Sequence, residues 1–150
     1  MNNRIEELQT DIGINFDAMI PTEYDKAWFF YELGPGICPS VWFCYVDSST
    51  KQLIPADCIE RRKDIVIPDI VLFEKLMDQI RYAIKDLQNE YVSDLGKLWY
   101  SITYQLNGDG TFNISFSYDK PTGSLEERRE KLCMEHIGCI PPDVTVDMLR

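Results

Sequence analysis

Two alternating segments on either side of a glycine-rich turn constrain this chain more than any other feature. Apolar residues alternate with Ser, Thr, Gln and Asn over 100–106 and again over 112–118. A two-residue turn would put the two apolar rows on opposite faces, whereas a three-residue loop over 108–110 pairs Leu106 with Phe112 and puts both rows on one face. The sequence therefore predicts a hairpin in this register. Its second face is polar, and is either exposed to solvent or a docking surface.

Aromatic and β-branched residues predict three more strands. The runs 27–33 and 40–46 are apolar at alternate and at intervening positions. This pattern is typical of strands that are covered on both faces in the middle of a sheet. Both runs end at turn residues, and a short third strand over 52–54 ends at Pro55.

Three segments have the periodicity of helices. Apolar residues recur at three- and four-residue steps over 5–19 and over 69–91, which predicts a helix with one apolar face in each segment. A third helix is predicted over 124–136, because Ser124 and Glu127 form a capping-box pattern at its start.

The elements follow one another in the order α-β-β-β-α-β-β-α, which predicts the α+β class. Because the strands arrive in consecutive hairpins, we expect a mainly antiparallel sheet of about five strands with the helices packed on one face. The chain has 150 residues, a length that fits one domain. We therefore expect residues 1–150 to form a single domain.

The formal net charge of -10 limits the partners of this chain. Nucleic acid and anionic membranes are polyanions, so a charge of this sign disfavours both and favours basic proteins. The alternative is that the acidity serves solubility alone. No apolar run approaches the ~20 residues that a membrane span requires, and the N-terminus has no apolar signal core. These observations predict a cytoplasmic protein that binds neither nucleic acid nor membrane.

The five cysteines and the single histidine are the candidates for catalytic or metal chemistry. Cys133 and His136 lie one helical turn apart and could form a thiolate–imidazole pair. Together with Cys139 they could also supply three metal ligands. However, the pair has no evident third partner, and a structural zinc site usually needs four ligands. We therefore predict no catalytic residue, no metal and no cofactor.

Three segments of the chain carry a recognisable pattern. They are Ala27-Trp28-Phe29-Phe30-Tyr31-Glu32, the run 110–119 that reads Gly-x-Phe-x-Ile-x-Phe-x-Tyr-Asp, and the closing His136-Ile137-Gly138-Cys139-Ile140-Pro141. In this order they resemble the YezG-type immunity protein family. The predicted third helix departs from the family pattern because it lacks the expected tryptophan. The resemblance implies a cytosolic antitoxin of the kind that neutralises LXG-type secreted toxins, which are often nucleases.

The resemblance implies a protein without catalytic residues that inhibits its toxin by stoichiometric binding. A nuclease surface that attracts phosphate is expected to be basic, so the negative charge would steer association. Asp119, which ends the signature strand, is the first candidate for a partner contact, and Asp109 and Asp47 are the others. The structural alternative for Asp119 is a cap on the turn that contains Pro121 and Gly123.

Two other functional classes stay open at this point. The chain could be a stand-alone regulatory or small-ligand-binding α+β domain, with its aromatic cluster lining an apolar pocket. It could also be an enzyme that uses Cys133 and His136. Strands that are apolar on both faces would also suit the interface of a homodimer.

Overall fold

The computed structural model describes residues 3–150. Helices and strands occur in the predicted order α-β-β-β-α-β-β-α, which confirms the α+β class. Two short 3₁₀-helices cover Ile59–Arg61 and Val146–Met148. The helices and strands are α1 (Asn3–Met19), β1 (Tyr24–Glu32), β2 (Ser40–Asp47), β3 (Leu53–Pro55), α2 (Ile70–Leu95), β4 (Ser101–Asn107), β5 (Phe112–Ser117) and α3 (Leu125–His136).

The five strands form one sheet in the order β3-β2-β1-β4-β5, and each neighbouring pair is antiparallel. Strand β1 lies in the middle, where Phe30 is opposite Trp42 of β2 and Thr103 of β4. Every residue from Ala27 to Glu32 is buried. The prediction that the apolar runs form strands covered on both faces is thus confirmed for the second half of β1.

The hairpin of β4 and β5 has the predicted register, with Leu106 opposite Phe112. The Gly110 N–H donates to the carbonyl of Asn107 at 3.0 Å, and the Asn107 N–H donates to the carbonyl of Thr111 at 2.9 Å. Gly110 has a φ of 90°, a conformation that glycine adopts without steric cost. The loop therefore adds one residue and keeps both apolar rows on the same face.

Helices α1 and α2 pack on one face of the sheet, over the side chains that alternate inward along β1, β2 and β4. Phe16 of α1 contacts the rings of Phe29 and Phe43, with centroids 4.9 and 5.6 Å away. The Tyr104 hydroxyl of β4 donates to the carbonyl of Gln9 at 3.0 Å. This face holds the main hydrophobic core.

Helix α2 runs four residues further than the sequence predicts. Asp69 caps its start by accepting a hydrogen bond from the Leu72 N–H at 3.0 Å. Its end lies at Gly96, whose φ of 64° is typical of a helix C-terminal glycine. Near that end, the buried Gln88 side chain donates to the carbonyls of Leu33 and Trp99, both at 2.7 Å.

Helix α3 lies on the opposite face, which corrects the expectation that the helices share one face. The alternate side chains of β1 and β2 point away from α1 and α2 and form a second apolar cluster, to which α3 contributes Cys133. Without α3 this cluster would be exposed to water, so a helix on this side buries additional apolar area. The other members are Trp28, Phe30, Trp42 and Cys44, with Leu132 and Ile137 packed against them.

Candidate partner-binding surface

A buried ion pair fixes the position of α3 on the sheet. The Arg128 guanidinium donates from Nε to both carboxylate oxygens of Glu32, at 3.1 and 3.0 Å, and from Nη2 to Oε1 at 3.0 Å. Its Nη1 donates to the carbonyl of Gly123 at 2.9 Å. The Glu32 side chain is only 8% exposed. This arrangement joins α3 to the end of the central strand.

A second contact holds the other flank of α3. The Arg129 guanidinium carbon lies 5.7 Å from the ring centroid of Trp42, and its Nη1 lies 3.5 Å from Oδ1 of Asp57. The rings of Trp42 and Phe30 are stacked, with centroids 5.4 Å apart. The adjacent residues Arg128 and Arg129 thus contact the sheet on the two sides of one helix.

A polar groove of about 250 Å³ lies between α3 and the polar face of the β4–β5 hairpin. This is the face that the sequence predicts to be either exposed or a docking surface. Its floor carries hydroxyl groups, with Glu32 and Arg128 among the lining residues, so the groove suits hydrogen bonding to a polar partner. The remaining polar lining residues are Ser101, Thr103, Ser115, Ser117, Asp119, Lys120, Thr122, Lys131, Glu135 and His136.

A second depression, which we name the α3–tail cleft, lies on the other side of α3. It has a volume of about 420 Å³ and is bounded by α3, by the segment 140–143 and by residues 42, 55 and 57 of the sheet side. Its lining combines apolar and acidic side chains. The lining residues are Trp42, Pro55, Asp57, Leu125, Glu126, Arg129, Glu130, Cys133, Ile140, Pro141, Pro142 and Asp143.

The three predicted partner contacts lie at two ends of the sheet. Asp119 is exposed and lines the polar groove, two residues after Ser117 and therefore near the end of β1 where Glu32 lies. Asp47 and Asp109 lie near the start of β1, since Asp47 is opposite Tyr24. The structure therefore places Asp119 at the polar groove beside α3 and leaves Asp47 and Asp109 at the opposite end of the sheet.

Local hydrogen bonds occupy the carboxylates of Asp47 and Asp109. Asp47 accepts from the Thr50 N–H at 2.8 Å and from the Thr22 hydroxyl at 2.8 Å. These bonds lower its pKa, and the residue is buried. Asp109 is exposed at the hairpin turn and accepts from the hydroxyl and the N–H of Thr111 at 2.6 and 2.9 Å, which lower the pKa of this carboxyl too.

The Cys133 thiol is placed for packing. Cys133 is 2% exposed, and burial raises the pKa of its thiol to about 11. Burial also raises the pKa of Cys44 well above its ordinary value. The His136 ring lies 6.0 Å from that of Phe30. Within residues 3–150, no group of three or more His, Cys, Asp or Glu side chains is placed to hold a metal ion.

The sequence does not reveal the groups that build this surface. Glu32 follows an apolar strand and Arg128 lies in a charge-rich helix, so neither stands out from its surroundings. Trp42 is predicted as a core residue, and it also lines the α3–tail cleft. Only the capping pattern of Ser124, whose hydroxyl accepts from the Glu127 N–H at 3.1 Å, indicates where α3 begins.

Comparison with known proteins assigns the chain to a family. A family model described as "Immunity protein YezG-like" matches residues 5–147. The chain belongs to the YezG-like immunity protein family. It is also similar to the immunity protein YezG of Bacillus subtilis (strain 168), with 22% identity over 150 residues that cover 93% of this chain and 91% of the relative. The predicted resemblance is thereby confirmed.

The YezG-like match includes α3 and most of the C-terminal segment. Both depressions beside α3 therefore lie within the part of the chain that the family shares. Among residues 3–150, no helix has both the length and the apolar character to cross a bilayer.

Proposed function

We propose that this YezG-like protein is an antitoxin that neutralises a cognate secreted toxin by forming a stoichiometric complex with it. Membership of an immunity protein family is the observation that carries the proposal. The burial and raised pKa of the Cys133 thiol also favour binding over catalysis, because the thiolate is the nucleophilic form. The aromatic residues that could have lined a ligand pocket are packed beneath α3.

The proposed partner is an LXG-type toxin with a basic nuclease domain, captured in the cytoplasm before export or after delivery by a sibling cell. The net charge of -10 supports this choice, because opposite charges accelerate the encounter of two proteins. A homodimer is the other assembly that the sequence suggests. It gains less support, since α1, α2 and α3 already cover the apolar faces of β1 and β2.

We propose Asp119 as the partner contact among the three predicted aspartates. Its carboxylate is exposed on the rim of the polar groove, where it is open to a cation of the toxin. Asp109 is also exposed and is the second choice. The Asp47 carboxylate is buried in its turn and has its oxygens engaged, so it has less to offer a partner.

Co-expression tests the proposed function. The C-terminal domain of each LXG-type toxin encoded in the same genome is expressed with and without this protein, and growth is recorded. We expect this protein to restore growth in cells that express one of these toxin domains. With that toxin domain it should form a one-to-one complex, measured by light scattering after gel filtration, and the affinity of the complex should fall as salt rises. If this protein restored growth against none of these toxin domains, the proposal would be contradicted.

A matched pair of variants tests the contact. We expect Asp119→Asn to slow association with the toxin and Asp11→Asn to leave it unchanged, because Asp11 is exposed on α1, across the sheet from the polar groove. Surface plasmon resonance at two salt concentrations measures both rates. Equal association rates for the two variants would remove Asp119 from the interface without affecting the antitoxin proposal.

A further inference from the structure

The α3–tail cleft combines an apolar floor with an excess of negative charge. Its volume of about 420 Å³ lies within the range of roughly 300–1,000 Å³ that is usual for ligand pockets. Pro55 and Pro141 are buried in its walls, while Leu125 and Ile140 are exposed. Exposed apolar groups around a concave site are typical of surfaces that bind another molecule.

The charges of the cleft are not balanced. Among its lining residues in the described part of the chain, Arg129 is the one cation, and it is already paired with Asp57 at 3.5 Å. Three further carboxylates are exposed and form no ion pair with any of residues 3–150. They are Glu126, Glu130 and Asp143. The cleft therefore has three carboxylates without a counter-charge around an apolar floor.

Two buried donors in the cleft lining also lack acceptors. The Nε1–H of Trp42 and the Nε–H of Arg129 are buried and have no hydrogen-bond acceptor among residues 3–150, and Trp42 is only 8% exposed. A buried donor without an acceptor is destabilising and is rare in folded proteins. Both groups are donors and are shielded from solvent in the free protein, so a backbone carbonyl of an occupant would reach them after the partly exposed Arg129 side chain moves.

We propose that the α3–tail cleft receives an arginine side chain of the partner toxin, an inference that rests on the proposed function. Arginine has an apolar stem that can lie on the exposed side chains of Leu125 and Ile140, and a planar guanidinium that pairs with carboxylates. Once Arg129 moves, the backbone carbonyl beside the incoming arginine can accept from the two unpaired donors. The carboxylates would repel a nucleic acid, and a second copy of this acidic chain would be repelled as well.

A titration with a small peptide tests the site without any toxin. The probe is acetyl-Gly-Arg-Gly-amide, and its control carries citrulline, the neutral isostere of arginine. The signal is the indole N–H resonance of Trp42 in the ¹⁵N-labelled protein, assigned by its loss in Trp42→Phe. We expect a saturable shift with the arginine peptide that weakens as salt rises, and none with the citrulline peptide. No shift with either peptide, or equal shifts with both, would overturn the proposal.

Two triple variants with equal charge changes test whether the arginine peptide binds at the α3–tail cleft. The cleft variant combines Glu126→Gln, Glu130→Gln and Asp143→Asn. The control combines Glu6→Gln, Glu74→Gln and Asp94→Asn, three exposed carboxylates on α1 and α2, across the sheet. Glu6 and Glu126 both lie in the first turn of their helices, so both triple variants lose one favourable negative charge at a helix N-terminus.

We expect the cleft variant to lose the response to the arginine peptide and to associate with the toxin about tenfold more slowly. The control should keep both properties close to wild type. Equal behaviour of the two triple variants in the peptide titration overturns the inference, because net charge alone would then explain the effect.

The toxin complex separates this inference from the proposed function. Cys58 and Cys139 are exposed and adjoin Asp57 and Ile140 of the cleft, so a docked toxin should slow the alkylation of both thiols. If the toxin binds but leaves both thiols as reactive as in the free protein, the inference fails and the antitoxin function stands. If no toxin binds while the peptide titration succeeds, the antitoxin proposal fails and the arginine site is supported.

Discussion

The guanidinium of Arg128 on α3 makes three hydrogen bonds of 3.0–3.1 Å to the carboxylate of Glu32 at the end of β1. Glu32 is buried in the central strand, where a carboxylate without a cation would be strongly destabilising. The pair therefore places α3 on the second face of the sheet, and with it the two depressions that flank the helix.

We expect Arg128→Met to lower the free energy of unfolding by about 2–4 kcal/mol, because it leaves the Glu32 carboxylate buried without a counter-charge. We expect a smaller loss than for a fully buried ion pair, because the Arg128 side chain is 22% exposed and water can reach the site. Urea denaturation measures the change. Adding Glu32→Gln to this variant should recover part of the loss, because the uncompensated charge is then removed.

The exposed pair of Lys51 and Asp25, at 2.8 Å, is the control for this prediction. We expect Lys51→Met to leave the free energy of unfolding nearly unchanged, because exposed ion pairs contribute little to stability. A loss in Arg128→Met no larger than that in Lys51→Met would contradict the role assigned to the buried pair.

Substitutions at Gln88 test how much its two buried hydrogen bonds stabilise the fold, and they separate the loss of these bonds from the burial of a charge. Its amide nitrogen donates to two backbone carbonyls, both at 2.7 Å, so Gln88→Glu places a buried carboxylate against two acceptors. We expect a loss of about 3 kcal/mol at pH 7, partly recovered at lower pH. The recovery follows because burial raises the folded pKa of the new carboxyl, so protonation favours the folded state.

Gln88→Met is the matched variant, because it removes the same hydrogen bonds without adding a charge. We expect it to lose about 1–3 kcal/mol with the same pH dependence as the wild type. Thermal unfolding at several pH values distinguishes the two. A Gln88→Glu variant whose deficit does not shrink on acidification would show that its carboxyl is solvated in the folded state.

Gly13 interrupts the apolar stripe of α1, and replacing it should stabilise the protein. A Cβ at this position would lie 3.5 Å from Cδ1 of Phe112, an ordinary contact, and alanine favours a helix over glycine by about 0.8–1.0 kcal/mol. We therefore expect Gly13→Ala to raise the free energy of unfolding by about 0.5–1 kcal/mol.

Gly108→Ala should have the opposite sign. A Cβ at Gly108 would lie 2.8 Å from the backbone carbonyl oxygen of Tyr24, so the hairpin turn would have to shift, at a cost of about 1–3 kcal/mol. Guanidinium denaturation midpoints of the two alanine variants give the comparison. The packing argument would be refuted if both variants moved in the same direction.

Asp47 is expected to give the turn after β2 a pH-dependent stability. Hydrogen bonds from the Thr50 N–H and then from the Thr22 hydroxyl lower its pKa below the ordinary 3.8. A lowered folded pKa gives stability that is present above the unfolded value and is lost as pH falls through the folded value. We therefore expect Asp47→Asn to be less stable than the wild type by about 1–3 kcal/mol at pH 7.

The difference between wild type and Asp47→Asn should stay constant from neutral pH down to about pH 5 and shrink below pH 3.8, where the unfolded carboxylate becomes protonated. Melting curves across this range, with Asp11→Asn as the control for the loss of one charge, measure it. A gap that is unchanged at pH 2 would mean that the charge of Asp47 is irrelevant to the turn.

Much of the secondary structure follows from local patterns. The parity of residues between Leu106 and Phe112 predicts the hairpin register, and the continuous apolar run over 27–33 predicts a strand in the middle of the sheet. The first helix ends where predicted, at Met19. These features are predictable because side chains repeat every two residues in a strand and every 3.6 in a helix, so neighbours along the chain carry the information.

The candidate site is less predictable. Asp119 lines the polar groove beside α3, and only the sequence pattern that ends at this residue indicates it as a candidate contact. The α3–tail cleft had no signal at all, because its lining comes from three separated parts of the chain. The sequence indicates Asp47 and Asp109 only by their charge, whereas the roles of their carboxylates in turns depend on which N–H groups the folded backbone brings to them.

The sequence by itself determined the identity and order of the helices and strands, the hairpin register and the family to which the chain belongs. Only the tertiary structure decided which face α3 covers. The segment 125–136 is rich in charge and has little apolar periodicity, so nothing local assigns it to a face. Its place depends on Glu32, which is 96 positions away from Arg128. A contact of that range forms only after the sheet has brought both residues together.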